Sequence, residues 1–300
     1  MATGIVTQAL TKIYAGTKAP ALDALSFEIK SGEIYGFLGA NGAGKTTTIR
    51  LLLNFIQPTN GSGRINDLDI VHDAVAIKQR VGYLAGDVAL YPKVTGRALL
   101  DYLLALQGTN SKAYRDELAK RFEADLDKPV GTLSKGNRQK LGVIQALMHQ
   151  PDVLILDEPT SGLDPLMQEV FYEAVREAKA RGAAILMSSH NLDEAQRVCD
   201  RVGIIKHGKL IREQSIGSDT SLATPAFTVT LRDHDDIAHI KKEPMLRLVR
   251  QADSNVLIVQ PKKAIAAGLA ALAKYDIVSF TSEQSSLEDE FIEFYGDDQA

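Results

Sequence analysis

The sequence predicts an α/β fold built on a parallel sheet, followed by a smaller α+β domain of the split βαβ kind. Three observations predict it. A short apolar segment, 34–38, runs into a glycine-rich loop and then into a helical stretch from Thr46. A second apolar segment, 153–156, shows no alternation and stops at Asp157-Glu158, the pattern of a strand buried on both faces. Beyond a Gly/Ser/Thr/Pro-rich stretch at 217–225, apolar and helical segments follow in the order β-α-β-β-α-β.

Segments 5–10 and 25–29 are apolar with partial alternation and read as strands; 34–38, bounded by Gly32 and Gly39, reads as a third. The helix from Thr46 must end before Pro58, whose ring cannot continue it. Segments 101–106 and 114–126 read as helical, and 135–149 as another helix closed by Pro151. Asp164 reads as the N-cap of a further helix, with Pro165 at its first position. That helix runs to about Arg181, where Gly182 takes the left-handed position past its end. Segment 184–188 is a short buried strand, and His207-Gly208 reads as the turn of a hairpin between 202–205 and 209–211. The smaller domain reads as strand 227–231, helix 235–242, strands 246–249 and 256–260, helix 264–274, strand 277–281 and a last helix 287–295. Ser285 and Glu288 have capping-box spacing for that last helix. The expected division is thus a first domain 1–216, a linker 217–225 and an accessory domain 226–300.

The 300 residues suit two domains with a sizeable core. A hydrophobic fraction of 45% and a charged fraction of 24% are ordinary for a soluble globular protein. The single cysteine, Cys199, excludes an intramolecular disulfide framework and fits a reducing compartment. It shares an apolar helix face with Leu192, Ala195 and Val198 and reads as packing. No apolar run reaches the roughly 18 residues of a transmembrane helix, so none is expected. The N-terminus lacks a charged region followed by an apolar stretch, so no secretory signal is expected either. With 34 basic and 38 acidic residues the net charge is −4, which argues against a nucleic-acid partner. His72, His149, His207, His234 and His239 share no metal-ligand spacing and read as surface residues. Lys78–Arg80 reads as a solvated face. The stripe Leu99, Leu100, Leu103 and Leu104 is either core or partner-facing.

Gly39-Ala40-Asn41-Gly42-Ala43-Gly44-Lys45-Thr46, continued by Thr47, matches the phosphate-loop pattern G-x-x-x-x-G-K-[ST]. Glycines let backbone N–H groups curl around phosphate oxygens without Cβ clashes. The helix that follows points its partial positive end at them. Lys45 is placed to reach the β- and γ-phosphates, and the Thr46 hydroxyl to ligate Mg²⁺. The carboxylates of Asp157 and Glu158 arrive at the C-terminal edge of the sheet, where open α/β folds bind ligands. Asp157 suits a Mg²⁺ ligand; Glu158 suits an acceptor that orients an attacking water. The alternative for the pair is an exposed acidic turn before Pro159.

At this point the sequence resembles the ATP-binding subunits of ABC transporters, over residues 5–216. The resemblance rests on the phosphate loop GANGAGKTT, the segment Leu133-Ser134-Lys135-Gly136-Asn137, the strand LILDEPTSGLD and Ser188-Ser189-His190. It also rests on the position of Tyr14 and on segment 81–91, which occupies the family's Q-loop region. It implies a P-loop cassette with an antiparallel β subdomain and a helical subdomain at about 87–150. It implies ATP and Mg²⁺, and a second subunit stacked head to tail. Each shared site then takes the phosphate loop of one chain and Ser134 and Gly136 of the other. By the same resemblance His190 meets the γ-phosphate, Ser161–Asp164 is the D-loop with Asp164 at the nucleotide, and Tyr14 stacks on adenine. The alternative for Tyr14 is a half-buried strand-end aromatic.

Three positions depart from the family's commonest pattern. Lys135 stands where glycine is usual, Asn137 where glutamine is usual, and Gly86 where a glutamine or glutamate is expected. Asp87 follows Gly86 and is the candidate to reach the Mg²⁺ or the attacking water in its place. The expected function is ATP hydrolysis that powers export through a separate membrane-spanning permease, at the cytoplasmic face of the membrane. The exporter reading leans on the accessory domain, with its Ser286–Phe291 segment. The rival is a soluble cassette ATPase acting on ribosomes or nucleic acid, although such proteins carry two cassettes in one chain. A GTPase of the same loop class would carry N-K-x-D, which is absent.

Overall fold

The computed structural model describes residues 3–283 apart from residues 18, 110, 217–225, 234 and 263. The chain falls into two compact units, Met1–Ile216 and Gly217–Ala300. The linker segment, the Ser285/Glu288 cap, the helix at 287–295 and Ser286–Phe291 lie outside the described residues.

The first unit opens with β1 (Thr3–Lys12) and β2 (Leu22–Lys30), which pair antiparallel. In β2 every second residue is buried (Leu25, Phe27, Ile29), the mark of a strand with one wet face. β3 (Ile34–Leu38) is buried throughout and leads through the glycine loop into α1 (Lys45–Leu52). β4 (Asn60–Ile65) returns beside β1, β5 (Leu68–Asp69) closes that antiparallel sheet in the order β2-β1-β4-β5, and α2 (Ala74–Arg80) leads into β6 (Val81–Leu84). The sequence reading missed β4, β5 and α2. The β4 segment, Asn-Gly-Ser-Gly-Arg-Ile, has no alternation and exists because β1 supplies its ladder. Lys78 and Arg80, read as a solvated face, are the last turn of α2, which buries Ile77.

The helical subdomain carries α3 (Gly96–Leu106), α4 (Lys112–Arg121) and α5 (Lys135–Leu147). Arg115 of α4 is 3% exposed and donates to Asp101 of α3 at 2.6 Å, a charge-assisted tie between the two helices. The leucine stripe divides: Leu99, Leu100 and Leu104 are core, while Leu103 lines a surface groove with Leu106 and Phe55.

β7 (Val153–Asp157), α6 (Pro165–Ala180), β8 (Ala184–Ser189), α7 (Leu192–Val198), β9 (Arg201–Lys206) and β10 (Lys209–Ser215) complete the unit. Asp164 caps α6 by accepting from the Met167 amide at 3.0 Å, with Pro165 at its first turn. His207 and Gly208 both have positive φ, as a tight hairpin turn requires. The main sheet has the order β10-β9-β3-β8-β7-β6. From β9 to β6 the pairings are parallel, and Leu38 faces Ser189, Asp157 faces Ser188 and Leu84 faces Leu156. This register brings four strand ends to one edge, where the segments around Gly39, Gly86, Glu158 and His190 begin.

In the second unit β11 (Ala226–Leu231), α8 (Asp235–Ile240), β12 (Leu246–Asp253), β13 (Val256–Pro261), α9 (Ile265–Leu272) and β14 (Ile277–Glu283) follow the expected β-α-β-β-α-β order. The antiparallel sheet has the order β12-β13-β11-β14, so β13 sits between the two strands that α8 connects, as a split βαβ fold demands. Phe227, Val229, Leu257 and Val259 pack with Ile237, Ile240 and Leu272 as its core.

Candidate functional site: a phosphate cleft at the sheet edge

The cleft is built on the glycine loop. Gly44 caps α1 with φ 118°, a conformation reserved for glycine, and a Cβ there would lie 2.7 Å from Leu22 Cδ2. A Cβ at Gly39 would lie 2.6 Å from the Ile205 carbonyl oxygen. The loop therefore curls tightly and directs the start of α1 at the cavity. Lys45 is 6% exposed; its Nζ donates to the Gly39 carbonyl at 2.6 Å and lies 3.6 Å from Glu158 Oε1. Thr46 Oγ1 donates to Asp157 Oδ2 at 3.1 Å. Ser188 Oγ donates to the other carboxylate oxygen of Asp157 at 2.5 Å. Glu158 sits at φ 49°, and its amide donates to the Ser188 carbonyl at 3.2 Å. A non-glycine residue in the left-handed region is strained, and strain of this kind gathers at functional sites. His190 Nδ1 lies 2.6 Å from Glu158 Oε2.

A cavity of about 540 Å³ opens over these groups, lined by Asn41, Gly42, Thr47, Glu158 and His190 among others. Gly86 and Asp87 line it as well. A Cβ at Gly86 would stand 3.5 Å from Asp157 Oδ2, ordinary contact distance, so the position expected to hold a glutamine faces the Asp157 carboxylate. Asp87 is exposed at the rim. Tyr14 is half-buried beside the cleft, its hydroxyl 3.3 Å from Thr47 Oγ1 and Lys12 Nζ 5.6 Å from its ring centre. Ala43 is buried behind the loop.

Ser134, Gly136 and Asp164 do not line this cleft. Ser134 caps α5, accepting from the Asn137 amide at 3.2 Å. A Cβ at Gly136 would lie 2.8 Å from the Gly162 carbonyl oxygen, so α5 and the Ser161–Asp164 loop approach closely enough to require glycine there. Gln139 of α5 also donates to the Pro159 carbonyl at 2.8 Å. The segment after Glu158 is thus held against the start of α5.

Among the described residues one histidine departs from its sequence reading, and His234 lies outside them. His149 is half-buried at the end of α5, not a surface residue, and burial pushes its pKa down. It lines the apolar groove with Phe55, Tyr83, Leu103 and Leu106. Cys199 is buried as expected, and burial pushes its thiol pKa far up, which leaves it unreactive. Ser188 was quoted as part of a motif but given no role by sequence reasoning; it orients both Asp157 and the Glu158 amide. Sequence reasoning missed Glu194, whose carboxylate accepts from Thr160 and Ser189.

The family model described as ABC transporter matches residues 22–161. The bacitracin transport ATP-binding protein BcrA of Bacillus licheniformis is 34% identical over 319 residues, covering 99% of this chain and 98% of the relative. The chain belongs to the ATP-binding subunits of ABC transporters. The daunorubicin/doxorubicin resistance ATP-binding protein DrrA of Streptomyces peucetius is 31% identical over 307 residues, covering 97% and 92% of the two chains. Both of these ABC relatives match through the second unit as well as the first. The solved structure of an ATP-binding subunit of an ABC transporter superposes with a TM-score of 0.68 at 29% identity, over 71% of this chain and 90% of that one. ABC membership makes the chain an ATP-hydrolysing subunit, and it leaves the seat of the nucleotide and the individual residue roles to be argued from the geometry.

Proposed function

We propose that this ABC subunit powers an exporter of the kind its relatives' names describe, through a separate membrane-spanning permease. The observation that carries the proposal is the gathering of Lys45, Thr46, Asp157, Glu158 and His190 around one cleft. The near full-length likeness to proteins of bacitracin transport and daunorubicin/doxorubicin resistance supports the exporter direction. Among the described residues no helix is long and apolar enough to cross a membrane. A position at the cytoplasmic face would follow from docking to the permease.

In this reading the loop amides from Gly39 to Thr47 bind the phosphates, and Lys45 exchanges its bond to Gly39 for the β- and γ-oxygens. Tyr14 borders the adenine. Thr46 and Asp157 present hard oxygen donors 3.1 Å apart, which suit Mg²⁺ with its remaining positions left to phosphate and water. When bound, Mg²⁺ neutralises charge on the phosphate oxygens. Glu158 orients the attacking water and accepts its proton; His190, on the same carboxylate, faces the γ-phosphate. Ser134 and Gly136, at the N-terminus of α5, complete the partner subunit's site, and Asp164 lies on the loop packed beside them.

Lys45→Ala removes a charge-assisted contact worth roughly 1.5–3 kcal/mol. ATP affinity should fall tenfold or more by calorimetry, while the melting temperature stays close to the parent's. Unchanged affinity would remove the phosphate-loop assignment.

The permease must sense the nucleotide. Tyr83 lines both the nucleotide cleft and the apolar groove with Phe55, Leu103 and Leu106, so one side chain borders both sites. The segment after β6, carrying Gly86 and Asp87, runs on from the strand that bears Tyr83. Asp87→Ala should abolish transport and permease-stimulated hydrolysis and leave basal ATP affinity unchanged. Normal transport would place the coupling residue elsewhere. The decisive experiment for the function is purification from native membranes with identification of the co-purifying chain. Sedimentation with ribosomes instead would favour the rival reading.

A further inference from the structure

The loop that follows Glu158 and the loop that carries His190 are joined beneath the cleft by one buried carboxylate. Glu194 lies in the first turn of α7 and is 6% exposed. One carboxylate oxygen accepts from Thr160 Oγ1 at 2.7 Å, and the other accepts from Ser189 Oγ at 2.5 Å. The last backbone bond between these two segments runs from the Glu158 amide to Ser188. Past it, side chains tie them: His190 to Glu158 above, and Thr160–Glu194–Ser189 below.

This arrangement is costly. Glu194 forms no ion pair among the described residues, and burying a carboxylate without a cation is expensive even with two hydroxyl donors. Burial pushes its pKa up, against the lowering effect of the two hydroxyl bonds. Glu158 and His190 are the charged or titratable groups of the cleft that act on it most directly. An apolar side chain of similar volume would serve packing alone at lower cost. The carboxylate does what an apolar group cannot: it fixes the hydroxyl of the Thr160 loop and that of Ser189 at the end of β8 at one spacing.

We infer that Glu194 is a positioning residue that braces the Thr160 loop against Ser189, the last residue of β8, and so holds His190 Nδ1 on Glu158. The inference rests on the roles proposed above for Glu158 and His190. The test uses the full chain with Glu194→Gln, which keeps the shape but replaces one acceptor oxygen by a donor. Three readouts are taken: the hydrolysis rate, ATP affinity by calorimetry, and the ¹⁵N resonances of the His190 ring in nucleotide-free protein. Turnover is expected to fall about tenfold with ATP affinity within twofold, and the His190 Nδ1 resonance to move toward that of a free imidazole. Thr160→Val and Ser189→Ala remove one hydroxyl each and should give the same pattern. They stand in for Glu194→Gln if that variant folds poorly.

Unchanged His190 resonances with parent turnover would overturn the inference. So would unchanged resonances with a joint loss of turnover, ATP affinity and melting temperature, which would make Glu194 a packing residue. If Glu158→Gln hydrolyses ATP at the parent rate, the proposed role of Glu158 fails instead. The His190 resonances report the brace independently of that outcome.

Discussion

Glu158→Gln should hydrolyse ATP at about one-hundredth of the parent rate or less while still binding it. The substitution keeps the side-chain length and leaves one carbonyl oxygen able to accept from His190, which now stands 2.6 Å from Glu158 Oε2. It keeps the backbone problem unchanged, since both residues must tolerate φ 49° at this position. What it removes is proton affinity. An amide neither takes the proton of the attacking water nor presents a negative charge to orient it. It also cancels the attraction to Lys45 Nζ at 3.6 Å, which frees that ammonium for phosphate and should leave nucleotide affinity equal or slightly raised. With the γ-phosphate retained, head-to-tail dimers should accumulate in the presence of Mg-ATP. Gel filtration with and without nucleotide reads that directly. Parent-rate hydrolysis would mean that the catalytic carboxylate is another group of the cleft.

The parts of this site that were legible in the sequence are those whose geometry is local. Lys45 and Thr46 follow β3 within a few residues, and the loop pattern fixes where the helix must point. Asp157 and Glu158 were legible because an apolar run that ends in two carboxylates has one place to put them in a parallel sheet. His190 was reached through family resemblance. Its partner is fixed by the β7–β8 register, and a pairing register between strands separated by a helix leaves no trace in either segment alone. The same reason hid the roles of Ser188, which acts on Asp157, and of Glu194, which joins the loop after β7 to the end of β8. β4 was hidden differently: its glycine-rich segment has little strand propensity, and β1 imposes the conformation from outside. His149 illustrates the reverse case. Its spacing excluded a metal site, but only the packing of α5 against β6 decided that it is half-buried.

Ser134→Arg should abolish hydrolysis in a homodimer, and mixing it with Lys45→Ala should restore part of the activity. Within its own chain Ser134 is an N-cap on the Asn137 amide, worth about 1 kcal/mol of helix stability, so the variant is expected to fold. It does not line the cleft of its own chain, whereas Lys45 does. If the start of α5 serves the partner's nucleotide, each homodimer of a single variant has two damaged sites. The heterodimer has one site carrying both defects and one carrying neither. Its hydrolysis should therefore exceed that of either variant alone by tenfold or more, provided one site turns over by itself. Heterodimer formation is verified with two different affinity tags before the rate is read. If Ser134 acted in cis, every site in the mixture would carry one defect, and the mixed sample would be no faster than its components. A mixture that forms heterodimers yet gains no activity thus counts against the shared site, while recovery ties the exposed N-terminus of α5 to a nucleotide held by another copy of the chain.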